Sequence, residues 1–76
     1  MFNPVLKFPE REISKAIELA AKENYERDVS VMGLEDTGPW EEVEKVYLDE
    51  AKYLLKNTGK NWEPELPHHH YITIEN

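Results

Sequence analysis

The chain has 76 residues, no cysteine, and 16 Asp and Glu against 9 Lys and Arg, a formal net charge of −7. That length holds one small domain with a thin core, and without thiols neither disulfides nor a thiolate zinc site can reinforce it. The acidic balance disfavours direct binding to nucleic acid or anionic lipid, because phosphate affinity rests on cationic side chains that release counterions.

The start, Met1-Phe2-Asn3-Pro4, shows no basic region followed by an apolar run, and no later stretch approaches the roughly 20 apolar residues of a membrane helix. The expectation is a single domain over 1–76 in the reducing cytoplasm, with no membrane span. Val5-Leu6-Lys7-Phe8 is a strand candidate. After it, Ile13, Ala16, Ile17, Ala20, Ala21 and Tyr25 recur at three- and four-residue spacing, which predicts an amphipathic helix over about 9–27 with a narrow, alanine-rich stripe. Pro9 suits its first position, and Glu10 and Glu12 suit the positive end of its dipole. Val29-Ser30-Val31-Met32 alternates and is rich in β-branched residues, so it reads as a short strand, and Gly33 to Gly38 reads as a loop.

A second helix is predicted over 39–57, with Gly38 as its cap, Glu41 and Glu42 in its first turn, Lys52 and Lys56 near its end, and Gly59 as a left-handed stop. Projection at the helical period places Trp40, Val43, Tyr47, Ala51 and Leu54 on one face, flanked by Leu48 and Leu55. Val46 and Tyr53 fall off that face and form either a wider buried surface or an exposed apolar patch. The prolines of Asn61-Trp62-Glu63-Pro64-Glu65-Leu66-Pro67 disfavour helix, so 60–70 is expected to be an extended connector containing Pro and His, anchored by Trp62. Ile72 and Ile74 alternate with Thr73 in a terminal strand candidate over Tyr71–Glu75. The fold class expected is α+β, two amphipathic helices with short terminal strands packed on them; the alternative is an all-α helical hairpin.

Catalytic signals are absent at this level. Ser14 and Ser30 lack a nucleophile-elbow pattern, the three glycines are too scattered for a phosphate loop, and the many carboxylates single out no acid–base pair. The chain is therefore read as a non-enzyme without a cofactor. His68-His69-His70 would place His68 and His70 on one side of an extended backbone, the start of a metal site that still lacks a third donor; Glu65 or Glu75 are the candidates to supply one. Three histidines preceding an edge strand are the ordinary reading. Pro64-Glu65-Leu66-Pro67 has P-x-x-P spacing but no neighbouring cation, which favours a rigid connector over a polyproline ligand. Trp40 and Trp62 could anchor an interface, but large aromatics in so small a chain are most often core.

The acidity is unevenly placed. Glu35, Asp36, Glu41, Glu42, Glu44, Asp49 and Glu50 face Lys45 alone, which gathers six of the seven net negative charges between 35 and 50. Such a cluster is either a solvated helix start, helped by a Glu41–Lys45 pair, or a surface for a basic partner. The spacing of Trp40, Tyr47, Ala51 and Leu55 resembles a helix of small phage and plasmid proteins, and that resemblance implies an origin and no activity. These features lead to an expected function: a small acidic interaction module, an inhibitor or regulator from a phage or mobile element. It would bind a basic surface of a nucleic-acid-handling protein through Glu35, Asp36, Glu41, Glu42, Glu44 and Asp49, with Val46 and Tyr53 beside them. The alternative is a small metal- or ligand-binding protein, with a homodimer as a further possibility.

Overall fold

The fold, a computed structural model, describes residues 3–57 and 59–75, so the Met1-Phe2 start lies outside the described residues. Strand β1 (Val5–Pro9) leads through a 3-10 turn (Glu10–Glu12) into helix α1 (Ile13–Met32). A single helical turn, α2 (Leu34–Thr37), precedes helix α3 (Trp40–Asn57), and strands β2 (Asn61–Trp62) and β3 (Tyr71–Glu75) complete the chain. β3 is central: it pairs in parallel with β1, Val5 opposite Tyr71 and Phe8 opposite Ile74, and antiparallel with β2, Trp62 opposite Ile72. The fold is therefore α+β, and the helical-hairpin alternative falls with the sheet.

Period-two alternation explains which side of the sheet is buried. Ile72 and Ile74 are buried, and Phe8 packs against them, whereas Val5 and Tyr71, paired on the opposite side, are exposed. The rest of the core is Ala16, Ala20, Ala21, Ala51 and Leu55, all at 0 or 1% exposure, with Ile13, Ile17, Trp40, Tyr47, Leu48 and Trp62 packed around them. Alanine at the helix contacts lets α1 and α3 approach closely, and among the described residues only Leu55 and Ile72 contribute large, fully buried side chains. Each such side chain stabilises the fold by about 1.5–3 kcal/mol, so the core is as thin as the length implies. The helices are antiparallel, since Asn24 meets Glu50 while Asp28 meets Tyr47.

Helix α3 runs almost as its signals predict. Its first turn closes on the Pro39 carbonyl, which accepts from the Glu42 and Val43 amides at 3.0 and 3.3 Å. Gly38 instead ends α2, donating its amide to Leu34 O at 2.8 Å. At the other end Gly59 adopts φ +70° and the Lys60 amide returns to Leu55 O at 2.9 Å, the geometry of a Schellman stop. Ala51 and Leu55 are buried; Trp40, Val43, Tyr47, Leu48 and Leu54 are half-buried.

Helix α1 departs from its predicted span at both ends. Pro9 closes β1 with ψ 152° rather than opening the helix, because the parallel pairing with β3 holds the chain extended as far as Glu75. At its far end Val29-Ser30-Val31-Met32 continues the helix and is not a strand. Both edges of the sheet lie elsewhere, so a strand here would leave its amides unpaired, whereas continuing an established helix through valine costs only a few tenths of a kcal/mol per residue. Gly33, at φ +89°, ends the helix, and the expected loop over 33–38 contains the turn of α2. Tyr25 fastens that connection by donating to Gly38 O at 2.7 Å.

Candidate functional site

Two parts of the surface carry groups that the core does not use. The first is the outward side of α2 and α3. Glu35, Asp36, Glu41, Glu42, Glu44 and Asp49 are all exposed, and among the described residues only Asp49 has a cation within reach, Lys45 at 4.0 Å. The predicted Glu41–Lys45 pair is absent, because Lys45 leans one turn forward rather than back. Glu42, Val46, Asp49 and Tyr53 follow one another at intervals of three and four residues, so they form one outward stripe in which acidic and apolar side chains alternate. Val46 is 63% and Tyr53 66% exposed, which resolves the sequence ambiguity in favour of an exposed patch. At the end of the molecule where α1 stops, Val31, Met32 and Leu34 are also exposed, next in sequence to Glu35 and Asp36.

The second part is the junction between α1 and the 60–70 segment. Beyond Ala20 and Ala21 the buried stripe of α1 turns polar: Glu23 and Asn24 are buried, and Arg27 follows three residues later. Arg27 donates to Asn24 Oδ1 at 2.7 Å and Asp28 Oδ1 at 2.8 Å, and it pairs with Glu65 Oε2 at 2.6 Å. Those carboxylates hold its proton more tightly, raising its pKa further, with the Glu65 hydrogen bond the largest contribution. Asn24 in turn donates to Glu50 Oε1 at 3.0 Å, and Tyr47 donates to Asp28 Oδ2 at 2.5 Å. Burial, and next that hydrogen bond, push the Tyr47 phenol up to about 12. Above this network lies a cleft of about 460 Å³ lined by Asn24, Arg27, Glu50, Leu54, Asn61, Trp62, Glu63 and Glu65. Its one cation is already committed to carboxylates.

The 60–70 segment is not extended throughout. After β2 it bends, and the His69 amide donates to Leu66 O at 3.1 Å, closing a turn at Pro67-His68. Asn3 clips the turn from outside, its amide nitrogen reaching the carbonyls of Leu66, Pro67 and His69 at 2.7, 3.0 and 3.1 Å. The turn breaks the two-residue period, so His68 and His70 do not share a side. His70 faces Glu23: its backbone amide donates to Glu23 Oε1 at 2.9 Å and its Nδ1 lies 2.6 Å from Oε2. His68 instead packs edge-to-face on His69, ring centroids 4.4 Å apart. Neither Glu65, bound to Arg27, nor Glu75, at the end of β3, belongs to the histidine cluster; Glu26 of α1 does.

Sequence reasoning missed Glu23, Asn24 and Glu26. Their signal was positional: Glu23, Asn24 and Arg27 continue the Ala16–Ala20 stripe at helical spacing, a mark of polar residues that face inward. Trp40 and Trp62 do belong to the packed interior; Trp40 lies 5.2 Å from Tyr25 and 6.3 Å from Tyr47 between centroids, with Lys22 Nζ 5.8 Å from its ring. Among the described residues no helix is long and apolar enough to cross a membrane. No family model matches the chain, and no curated protein and no solved structure matches it.

Proposed function

We propose that this chain is a non-enzymatic interaction module that docks the outward side of α2 and α3 on a basic surface of another protein, as an inhibitor or regulator of mobile-element origin would. The observation that supports it is the stripe Glu42, Val46, Asp49, Tyr53, in which exposed carboxylates alternate with exposed apolar side chains, next to the uncompensated Glu35, Asp36, Glu41 and Glu44. Apart from Asp49, which has Lys45 at 4.0 Å, these carboxylates have no cation among the described residues to give up on docking; opposite charge speeds encounter, and Val46 and Tyr53 supply apolar area that charge alone does not. A nucleic-acid-handling protein fits because its phosphate-binding surface already carries the cations. A homodimer through the same stripe is a second reading, carried by the exposed Val46 and Tyr53 alone.

The test is affinity capture on the immobilised chain from a host lysate, eluted with rising salt, beside the triple variant Glu41→Lys, Glu42→Lys, Glu44→Lys. A retained basic protein that is released by salt and lost with the variant is the expected result. Binding that ignores salt, or that survives the charge reversal, refutes the proposal. Sedimentation of the free chain separates the dimer, which Val46→Glu would dissolve.

A further inference from the structure

We propose that Glu26, His68 and His69 form a binding site for a divalent transition cation of the zinc class, a site independent of the docking surface. Three observations carry it. The donor atoms of these three side chains all lie within 4.8 Å of one another. His69 is 3% exposed, yet its Nε2 is buried without a hydrogen-bond partner. That nitrogen lies 3.7 Å from Glu26 Oε2, too far for a hydrogen bond.

A buried ring nitrogen without a hydrogen-bond partner is costly, and in native interiors an ion or an ordered water satisfies such a group. The separation is that of two ligands on one ion. Zinc–nitrogen and zinc–oxygen bonds of about 2.0–2.2 Å at the tetrahedral angle place neighbouring donors roughly 3.4 Å apart. Closing the site requires a contraction of up to roughly 1.4 Å at the third donor, which Glu26 and His68, both exposed, supply by changing rotamer. His69 is the fixed ligand, held by its amide bond to Leu66 O and by Asn3 on its carbonyl. Two imidazoles and one carboxylate suit zinc, nickel or copper, and not calcium or magnesium, which take oxygen donors. His70 is outside the set because its ring is turned to Glu23 of α1, and its donor atoms are not among those gathered with Glu26.

Three protein ligands leave a coordination position open, as in zinc sites that accept water or an outside donor. Glu26 and His68 also border a groove of about 360 Å³ with Tyr25, Val29, Leu34 and Leu66, so the open position faces solvent there. A bound ion would tie α1 to the Pro67-His68 turn, a cross-link that a chain without cysteine otherwise lacks.

The experiment is calorimetric titration of the whole chain with zinc chloride near neutral pH, with melting curves in parallel and cobalt(II) as a spectroscopic probe. One equivalent of zinc should bind, the melting temperature should rise by about 5 °C or more in excess metal, and cobalt should give the intense visible absorption of a tetrahedral site. Glu26→Gln and His68→Ala change exposed residues and should leave the metal-free melting temperature in place while weakening zinc by about 10-fold or more. Absence of heat and of any melting shift overturns the proposal. So does unchanged affinity in the Glu26→Gln, His68→Ala double variant, which would place the ion on the acidic surface, and so does equal binding of calcium.

Discussion

Replacing Glu23 by alanine removes the group that holds the histidine turn against α1. The Glu23 side chain is 7% exposed and accepts twice from His70, from the amide at 2.9 Å and from the ring at 2.6 Å. Hydrogen bonds to a charged acceptor contribute about 1.5–3 kcal/mol each. The His70 ring is 29% exposed and finds water once released, so its share falls toward about 1 kcal/mol. Alanine returns about 0.4 kcal/mol of helix propensity. The net loss is about 3 kcal/mol, against a total of roughly 4–11 kcal/mol for a domain of this length. At about 4–8 °C per kcal/mol, the melting temperature followed by far-ultraviolet circular dichroism should fall by roughly 12–24 °C. Glu23→Gln keeps one acceptor and should lose about a third as much. Glu18→Ala, exposed on the same helix, measures propensity alone and should change little. A Glu23→Ala protein that melts within about 2 °C of the parent would refute the reasoning, because the contact would then contribute nothing.

Two further outcomes follow from local geometry. Tyr47 has its pKa raised from 10.0 to about 12, so the folded state holds the phenolic proton more tightly than the unfolded one. Its contribution is complete below pH 10 and is lost as pH rises through 12; two units amount to a ceiling of about 2.7 kcal/mol, roughly 1 kcal/mol after solvent screening of a half-buried ring. Denaturant titrations from pH 9 to 12 should show this decline, and Tyr47→Phe should flatten it; an identical slope in both proteins would contradict the assignment. Gly38 sits at φ +89° and ψ 164°, a region open almost only to glycine, while an added Cβ would meet Val43 Cγ1 at an ordinary 3.5 Å. Gly38→Ala should therefore lose about 1–3 kcal/mol in chemical denaturation through backbone strain alone, and a neutral result would show that the turn into α3 takes another path.

The elements written in local chemistry were legible in the sequence. Gly38-Pro39 and Gly59 bracket α3, its wide apolar face is visible at helical spacing, and Ile72 and Ile74 announce the buried side of β3. The exposure of Val46 and Tyr53 is not legible there, because periodicity locates a face without saying what covers it. Tertiary structure decided whatever depends on a distant partner. Pro9 ends a strand because β3, more than sixty residues later, pairs with it. Val29 to Met32 stay helical because no sheet edge reaches them. Glu23, Asn24 and Arg27 face inward because the 60–70 segment brings donors and carboxylates to meet them. The histidine run shows the same division: its three imidazoles are plain in the sequence, but the Pro67-His68 turn, fastened by Asn3, sends His70 to Glu23 and leaves His68 and His69 beside Glu26. Local spacing records the neighbours a residue has along the chain, and the nearest ligands in space come from segments that only the folded backbone brings together.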